Sequence, residues 1–265
     1  MTDSAALLDP AARSALGLAT QAEANGAPAP DPVTPLQASW RDFVFAEVWS
    51  RPGLDRRARF LIALAGAASG GGSLHAIESY ARGALASGEL TLAELREAAL
   101  HYAVYGGWTR GSLIDAGVTN AARSLGLPEP ETAPIRAAPW DADERRAEGA
   151  RNFETTMLFG GPPPIVPYFD AGILNFVFGE MWCRPGLDQR ARRWLTVVGV
   201  CESAADTPIR SHIHAAIKSG NCTVPELHEF VLQYAVHAGW PRASMIQGVV
   251  FAMAKKVAEG LPYDG

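Results

Sequence analysis

The sequence predicts an all-α protein, and three observations lead there. Capping-box pairs open apolar-periodic segments, apolar residues recur at helical spacing, and no period-2 stretch lies between hairpin turns. Taken in order, FLIALAGAA (60–68) is apolar nearly all round and reads as a central buried helix, although periodicity alone also admits a strand. The SGGGS run at 69–73 is a loop. Thr91 and Glu94 form a capping box ahead of Leu95, Ala98, Ala99, Tyr102, Ala103 and Gly106, one face of an amphipathic helix. LPEPETAPIRAAP, Leu127 to Pro139, reads as a linker, and GGPPP at 160–164 as another loop. WLTVVGV (194–200) repeats the buried-helix pattern. Thr223 and Glu226 then cap a helix carrying Leu227, Phe230, Val231, Tyr234, Ala235 and Ala238 on one face.

Composition narrows the function classes. With 48% hydrophobic and 19% charged residues, the 265-residue chain is globular and long enough to bury a large core without disulfides or a structural metal. A net charge of −5 argues against a nucleic-acid groove or an anionic membrane surface as partner. No apolar run approaches the roughly 20 residues needed to span a bilayer. MTDSAALLDPAARSALG lacks the features of a signal peptide, and a cytoplasmic protein is expected. Cys183, Cys201 and Cys222 are too scattered for a disulfide framework.

The chain also contains itself twice. FVFAEVWSRPGLDRRAR (43–59) and FVFGEMWCRPGLDQRAR (176–192) differ at only four of 17 positions, at an offset of 133. HYAVYGGW, ending at Trp108, matches QYAVHAGW, ending at Trp240, at an offset of 132, so one residue is lost between the blocks. A unit of about 130 residues is too long for a solenoid repeat. Two domains are expected, 1–128 and 140–265.

The string E-x-W-x-R-P-G-L-D-x-R-x-R, with the later Y-A-V-x-[GA]-G-W, closely resembles the carboxymuconolactone decarboxylase family. Glu47, Trp49, Arg51 to Asp55, Arg57 and Arg59 carry it in the first copy; Glu180, Trp182, Arg184 to Asp188, Arg190 and Arg192 carry it in the second. The resemblance covers about residues 38–126 and 145–257. It implies the all-helical alkylhydroperoxidase D-like fold, twice in tandem, and assembly of small protomers into trimers or hexamers. For two fused units it implies a homotrimer imitating a hexamer. It also implies a small-molecule substrate and decarboxylation of a γ-carboxymuconolactone-like or other enolisable lactone compound without metal or organic cofactor.

The family's peroxidase branch needs C-x-x-C-x-x-x-H, so that a thiolate attacks the peroxide and a second thiol resolves it. Here Ala205 and Pro208 precede His212, and Ser73 and Ala76 precede Tyr80, so dithiol chemistry is not expected. Decarboxylation asks for something else. Loss of CO2 from an unsaturated lactone leaves a dienolate, which needs a cation or strong donor for its oxyanion and an acid for its carbon. The second copy offers His212, which stands at the family's histidine position, with His237, Glu180 and Arg184 as the expected catalytic set. Trp182, Tyr234, Trp240, Glu47, Trp49, Arg51, Tyr80 and Tyr105 are the expected substrate-binding set.

Each of these has a plain structural reading beside the chemical one. Arg51 and Arg184 can hold a turn by pairing with Asp55 or Asp188. Glu47 and Glu180 can be paired buried carboxylates. His214, two residues from His212, falls on another helix face, so the two cannot chelate a metal together and no metal site is expected. His237 lies three residues past core Tyr234. His101 can be core or site, and His228 is expected to face solvent. Tyr80 stands opposite His212, Arg82 opposite His214 and Tyr105 opposite His237, so the copies differ where chemistry would sit. Two other functions stay open: a cofactor-free isomerase or cyclase on a polyketide-like substrate, and a non-catalytic helical binding protein. A carboxylate–His–Arg pocket in the second copy favours an enzyme; a filled apolar one favours the scaffold.

Overall fold

A computed structural model describes residues 9–137 and 140–264; the first eight residues and the last two of the expected linker, Ala138 and Pro139, lie outside the described residues. The described chain is helical and contains no strand. The first half runs α1 (Pro10–Asn25), α2 (Pro35–Ser39), the π-helix π1 (Trp40–Trp49), α3 (Arg56–Ser69), α4 (Leu74–Ser87), α5 (Leu92–Gly106) and α6 (Trp108–Ser124). The second half follows with α7 (Ala142–Met157), the π-helix π2 (Tyr168–Met181), α8 (Gln189–Ser203), α9 (Asp206–Lys218), α10 (Val224–Ala238) and α11 (Trp240–Ala258). Apart from the one-turn α2, the order of elements is the same in both halves.

Local chemistry sets these boundaries. The repeated Pro-Gly-Leu-Asp segments end in helix caps: Asp55 accepts a hydrogen bond from Ala58 N at 2.7 Å, and Asp188 one from Ala191 N at 2.8 Å. The two threonine capping boxes form as the sequence predicts, with Glu94 and Glu226 reaching back to Thr91 N and Thr223 N. FLIALAGAA and WLTVVGV lie inside α3 and α8, both buried on nearly every side, so the strand alternative falls away. The wide turns of π1 and π2 are not foreshadowed by any periodicity; π-helical turns are rare and gather at functional sites.

The halves interlock. Helix α3 packs against α8 and α10, and α5 packs against α8. One hydrophobic cluster runs through both halves, from Trp49, Phe60 and Tyr80 to Trp194, Phe230 and Tyr234, while a smaller one gathers Phe153, Met157, Phe178 and Trp182. Polar contacts across the seam come in matched pairs. Arg51 meets Glu229 as Arg184 meets Glu97, and Arg57 meets Asp188 as Arg190 meets Asp55. Arg51 and Arg184 therefore do not hold their own turns through Asp55 or Asp188. They clamp the opposite half.

One difference between the halves shapes the surface. Gly17 on α1 and Gly149 on α7 each let their helix lie directly on π1 or π2, where a methyl would collide with the backbone carbonyl of Arg41 or Leu174. Helix α1 goes further and packs along α4, because Gly83 leaves no Cβ to meet the Ala24 carbonyl. The position equivalent to Gly83 is Ala215, and α7 touches α9 only sparingly. A cleft opens between them.

Candidate functional site

The cleft holds about 940 Å³ and is lined mostly by the second half. Helices α8 and α9 supply one wall with Ser203, Thr207, Ser211, His212 and His214, and Lys218 sits exposed at its edge. Helices α7 and π2 supply the opposite wall with aromatic side chains. Tyr105 and Trp108, from the end of α5 and the start of α6, close the side. The cleft is thus built from both halves.

His212 is the best placed acid–base group in it. Its ring meets Tyr105 edge-on at 5.4 Å, and its Nδ1 lies 3.3 Å from Nη1 of Arg193. A guanidinium only donates, so Nδ1 accepts and the ring proton sits on Nε2. Lost solvation, and then the Arg193 charge, hold His212 well below its ordinary pKa, so the ring is neutral at neutral pH. Arg193 is wholly buried. It donates to the Thr156 carbonyl at 2.7 Å, lies 4.8 Å from the Trp182 ring centroid and reaches Asn221 Oδ1 at 3.4 Å. No carboxylate pairs with it among the described residues. Desolvation brings it down to about 10, which still leaves it cationic near neutrality.

A polar layer stands behind this pair. Trp182 Nε1 donates to Tyr105 Oη at 2.7 Å, while His101 Nε2 meets Thr196 Oγ1 at 2.9 Å and its Nδ1 meets Arg192 at 3.3 Å. Burial raises Tyr105 to about 12, so its phenol stays protonated. His101 is held well below its ordinary pKa by burial and then by Arg192. His214 also faces the cleft, with Nε2 at 2.9 Å from the Leu261 carbonyl, so both histidines of H-I-H reach one cavity despite their i, i+2 spacing.

The expected catalytic set is not brought together. His212 lines the cleft, but His237 points into the first half, edge-on to Tyr80 at 6.1 Å, with its Nε2 buried and unpartnered among the described residues. Glu180 accepts from Arg136 N at 2.7 Å and anchors the linker. Arg184 is fully engaged by both oxygens of Glu97, at 3.0 and 2.6 Å, and by the carbonyls of Ala133 and Pro134, which leaves it no arm for a substrate anion. Among the expected binding residues, Tyr105 lines the cleft and Trp182 stands just behind it. Tyr234 is core, its hydroxyl donating to Glu202; Trp240 is exposed beside Phe43; Glu47 is half-buried. Arg51 clamps Glu229, and Trp49 stacks on Tyr80 at 5.5 Å in the closed first half. His228 is half-buried and bonded to Gln247.

The reason is a crossed arrangement. Tyr80 of α4 faces His237 of α10, and His212 of α9 faces Tyr105 of α5, so each half completes the other's site. Equivalent glycines make the crossing possible: a methyl on Gly66 would strike the His237 ring, and one on Gly199 the Tyr105 side chain. The residue missed in the sequence is Arg193, along with Trp108. A signal for it existed, since the offset of 133 sets Arg193 against Phe60, the first pair beyond the matched block.

Comparison with known proteins finds similarity over part of the chain. Residues 34–112 match the carboxymuconolactone decarboxylase family model. The chain is 32% identical over 76 residues to the 4-carboxymuconolactone decarboxylase of Acinetobacter baylyi, covering 29% of this chain and 56% of that protein. It is 40% identical over 69 residues to the nitrosuccinic acid decarboxylase npaB of Metarhizium robertsii, covering 26% and 48%. The chain thus spans about half the length of these curated relatives. No helix among the described residues is long and apolar enough to cross a membrane. Residues 34–112, which include the first E-x-W-x-R-P-G-L-D segment, are thus similar to the carboxymuconolactone decarboxylase family.

Proposed function

We propose that the chain is a cytoplasmic carbon–carbon lyase that decarboxylates an enolisable, lactone-like acid in the second-half cleft, using its own side chains. The observation that carries this reading is neutral His212 at the cleft wall with the unpaired Arg193 cation behind it. When the bond to CO2 breaks, its electron pair moves through the double bond into the carbonyl and leaves an oxyanion. The Nε2–H of His212 donates to that oxyanion, and the Arg193 charge provides positive potential in a site of low dielectric. Arg193 touches no cleft space itself and so acts as a positioning residue. The carbon is then protonated with solvent as the net proton source, which the open mouth admits. Both relatives described above are named decarboxylases, which supports the same reaction class.

The same reading makes the two halves, 1–128 and 140–265, tandem copies of one unit. The matched cross-seam pairs support it. It also makes the assembly a homotrimer, with three chains imitating six units. The first-half site, closed by α1 and by Tyr80 stacked on Trp49, is inactive in this scheme.

The test is CO2 release by the purified protein from 4-carboxymuconolactone, nitrosuccinate and bulkier lactone acids. His212→Ala should lower kcat by about 10² to 10⁴ with unchanged circular dichroism, and Tyr80→Phe should leave it within a few-fold. Release of CO2 from none of these compounds by the wild type overturns the proposal.

A further inference from the structure

We infer that the cleft takes a bulky aromatic monocarboxylic acid, its charged enolisable end on the α8–α9 wall and its ring system along π2 and α7, in preference to a small dicarboxylic lactone. The inference rests on the proposed lyase reading for the chemistry, but on the cleft alone for the shape and polarity of the ligand.

The two walls differ in kind. Nine Phe, Tyr and Trp side chains line the cavity: Tyr105 and Tyr263 pack beside His212 and His214, and five of the other seven come from α7 and π2. They hold one another in place: Phe153 meets Phe178 at 4.6 Å and Phe159 at 5.4 Å, and Trp108 stacks on Phe176 at 6.0 Å. Apart from the ring O–H and N–H groups of Tyr105, Tyr168 and Trp108, the polar side chains that line it come from α8, α9 and the segment Pro262–Asp264. A ligand that satisfies both walls has one polar end and a broad apolar body.

Charge argues the same way. Among the described lining residues Lys218 supplies the one full cation, and Asp264 stands on the same rim. Arg184, the other candidate for a second carboxylate, is consumed by Glu97. A second carboxylate would therefore face phenyl rings, and burying an unpaired carboxylate in such surroundings is costly. Size agrees too. Sites for drug-sized ligands run about 300–1,000 Å³, and about 940 Å³ lies at the upper end. Trp108 and Tyr168 are more than half exposed, an apolar mouth that a flat ring system would cover. In the first half Gly83 brings α1 down onto α4 at the equivalent place.

The test separates binding from turnover. 2-Naphthoic acid, which carries one carboxylate and no cleavable lactone, and cis,cis-muconic acid, a small dicarboxylate, are titrated into the full-length protein by calorimetry and by Trp fluorescence. Naphthoate is expected to bind at least about tenfold more tightly than muconate, and to shift the His212 imidazole resonances. Phe176→Ser, checked for an unchanged fold by circular dichroism, should lose about tenfold in naphthoate affinity. Because that substitution also strips a stacking partner from Trp108, Ile173→Asn serves as a second variant on the same wall and should weaken naphthoate too. Equal or tighter muconate binding, no naphthoate binding at millimolar concentration, or binding that neither variant weakens overturns the inference. If naphthoate binds as described and no acid loses CO2, the lyase reading fails and this one stands. CO2 released faster from small dicarboxylic lactones than from aryl-substituted ones sinks this one alone.

Discussion

The cross-seam pairs allow one energetic prediction to be worked through with its own internal control. Arg184→Ala and Arg51→Ala remove equivalent guanidiniums from equivalent partners, yet the two pairs lie in different surroundings. The side chains of Arg184 and Glu97 are 6% and 5% exposed, whereas those of Arg51 and Glu229 are 48% and 13% exposed. Without Arg184, the Glu97 carboxylate stays buried with Arg192 as its nearest cation at 3.8 Å, and the Ala133 and Pro134 carbonyls lose a donor. Removing one member of a buried pair costs about 3–5 kcal/mol. Without Arg51, Glu229 is still wetted and keeps Arg59 at 3.5 Å, so the loss is that of a surface pair, about 0–1 kcal/mol. An unfolding entropy near 2.1 cal/mol/K per residue gives about 0.6 kcal/mol/K for this chain, so the expected drops in Tm are about 5–9 °C and under about 2 °C. Scanning calorimetry of both variants at ~0.15 M salt reads them directly. Shifts equal within about 1 °C would show that burial does not distinguish the two clamps.

Three other outcomes are expected. Lost solvation lowers His237 from 6.5 to about 4, so the unfolded chain binds the extra proton between those values; the contribution, up to ~3 kcal/mol, is full above about pH 6.5 and lost as pH falls toward 4. Urea unfolding of His237→Phe should accordingly show a flatter acid limb than wild type, and an unchanged limb refutes the assignment. Replacing Cys183, Cys201 and Cys222 together should leave CO2 release within a few-fold, because burial pushes the Cys222 thiol up to about 12 and Cys201 still higher, both far from thiolate; thiol-dependent peroxide reduction lost in that variant would contradict this. Light scattering should find about three chains per particle, and a 28.2 kDa species at micromolar concentration would exclude the trimer.

Much of the fold was legible because its signals are local. Asp55, Asp188 and the threonine capping boxes mark helix starts whatever surrounds them, and the amphipathic faces of α5 and α10 follow from 3.6-residue spacing. The π-helical turns were not legible, since an apolar run such as NFVFGEM satisfies either winding. The site was half legible. His212 and Tyr105 are identifiable from residue type and from comparing the copies, but equivalence does not say which copy donates to which site. That is why Trp240 and His237 were expected where Trp108 and Tyr105 stand. Arg193 escaped for a different reason: inside Q-R-A-R-R it resembles a solvated helix face, and only three-dimensional packing turns it inward.

The reciprocal clamps obey the rule of a two-fold contact between identical subunits, in which residue i of one touches j of the other and j touches i. In a dimer of separate identical chains, any change to one half-site is copied into its mate. Here a single chain encodes both sides, and that constraint is gone. Gly83 can seat a helix on one side while Ala215 holds it off on the other, and Phe60 with Tyr80 can stand where the other half has Arg193 with His212. Covalent continuity thus lets the two sides of one reciprocal contact diverge, one packed shut and the other opened into a cleft.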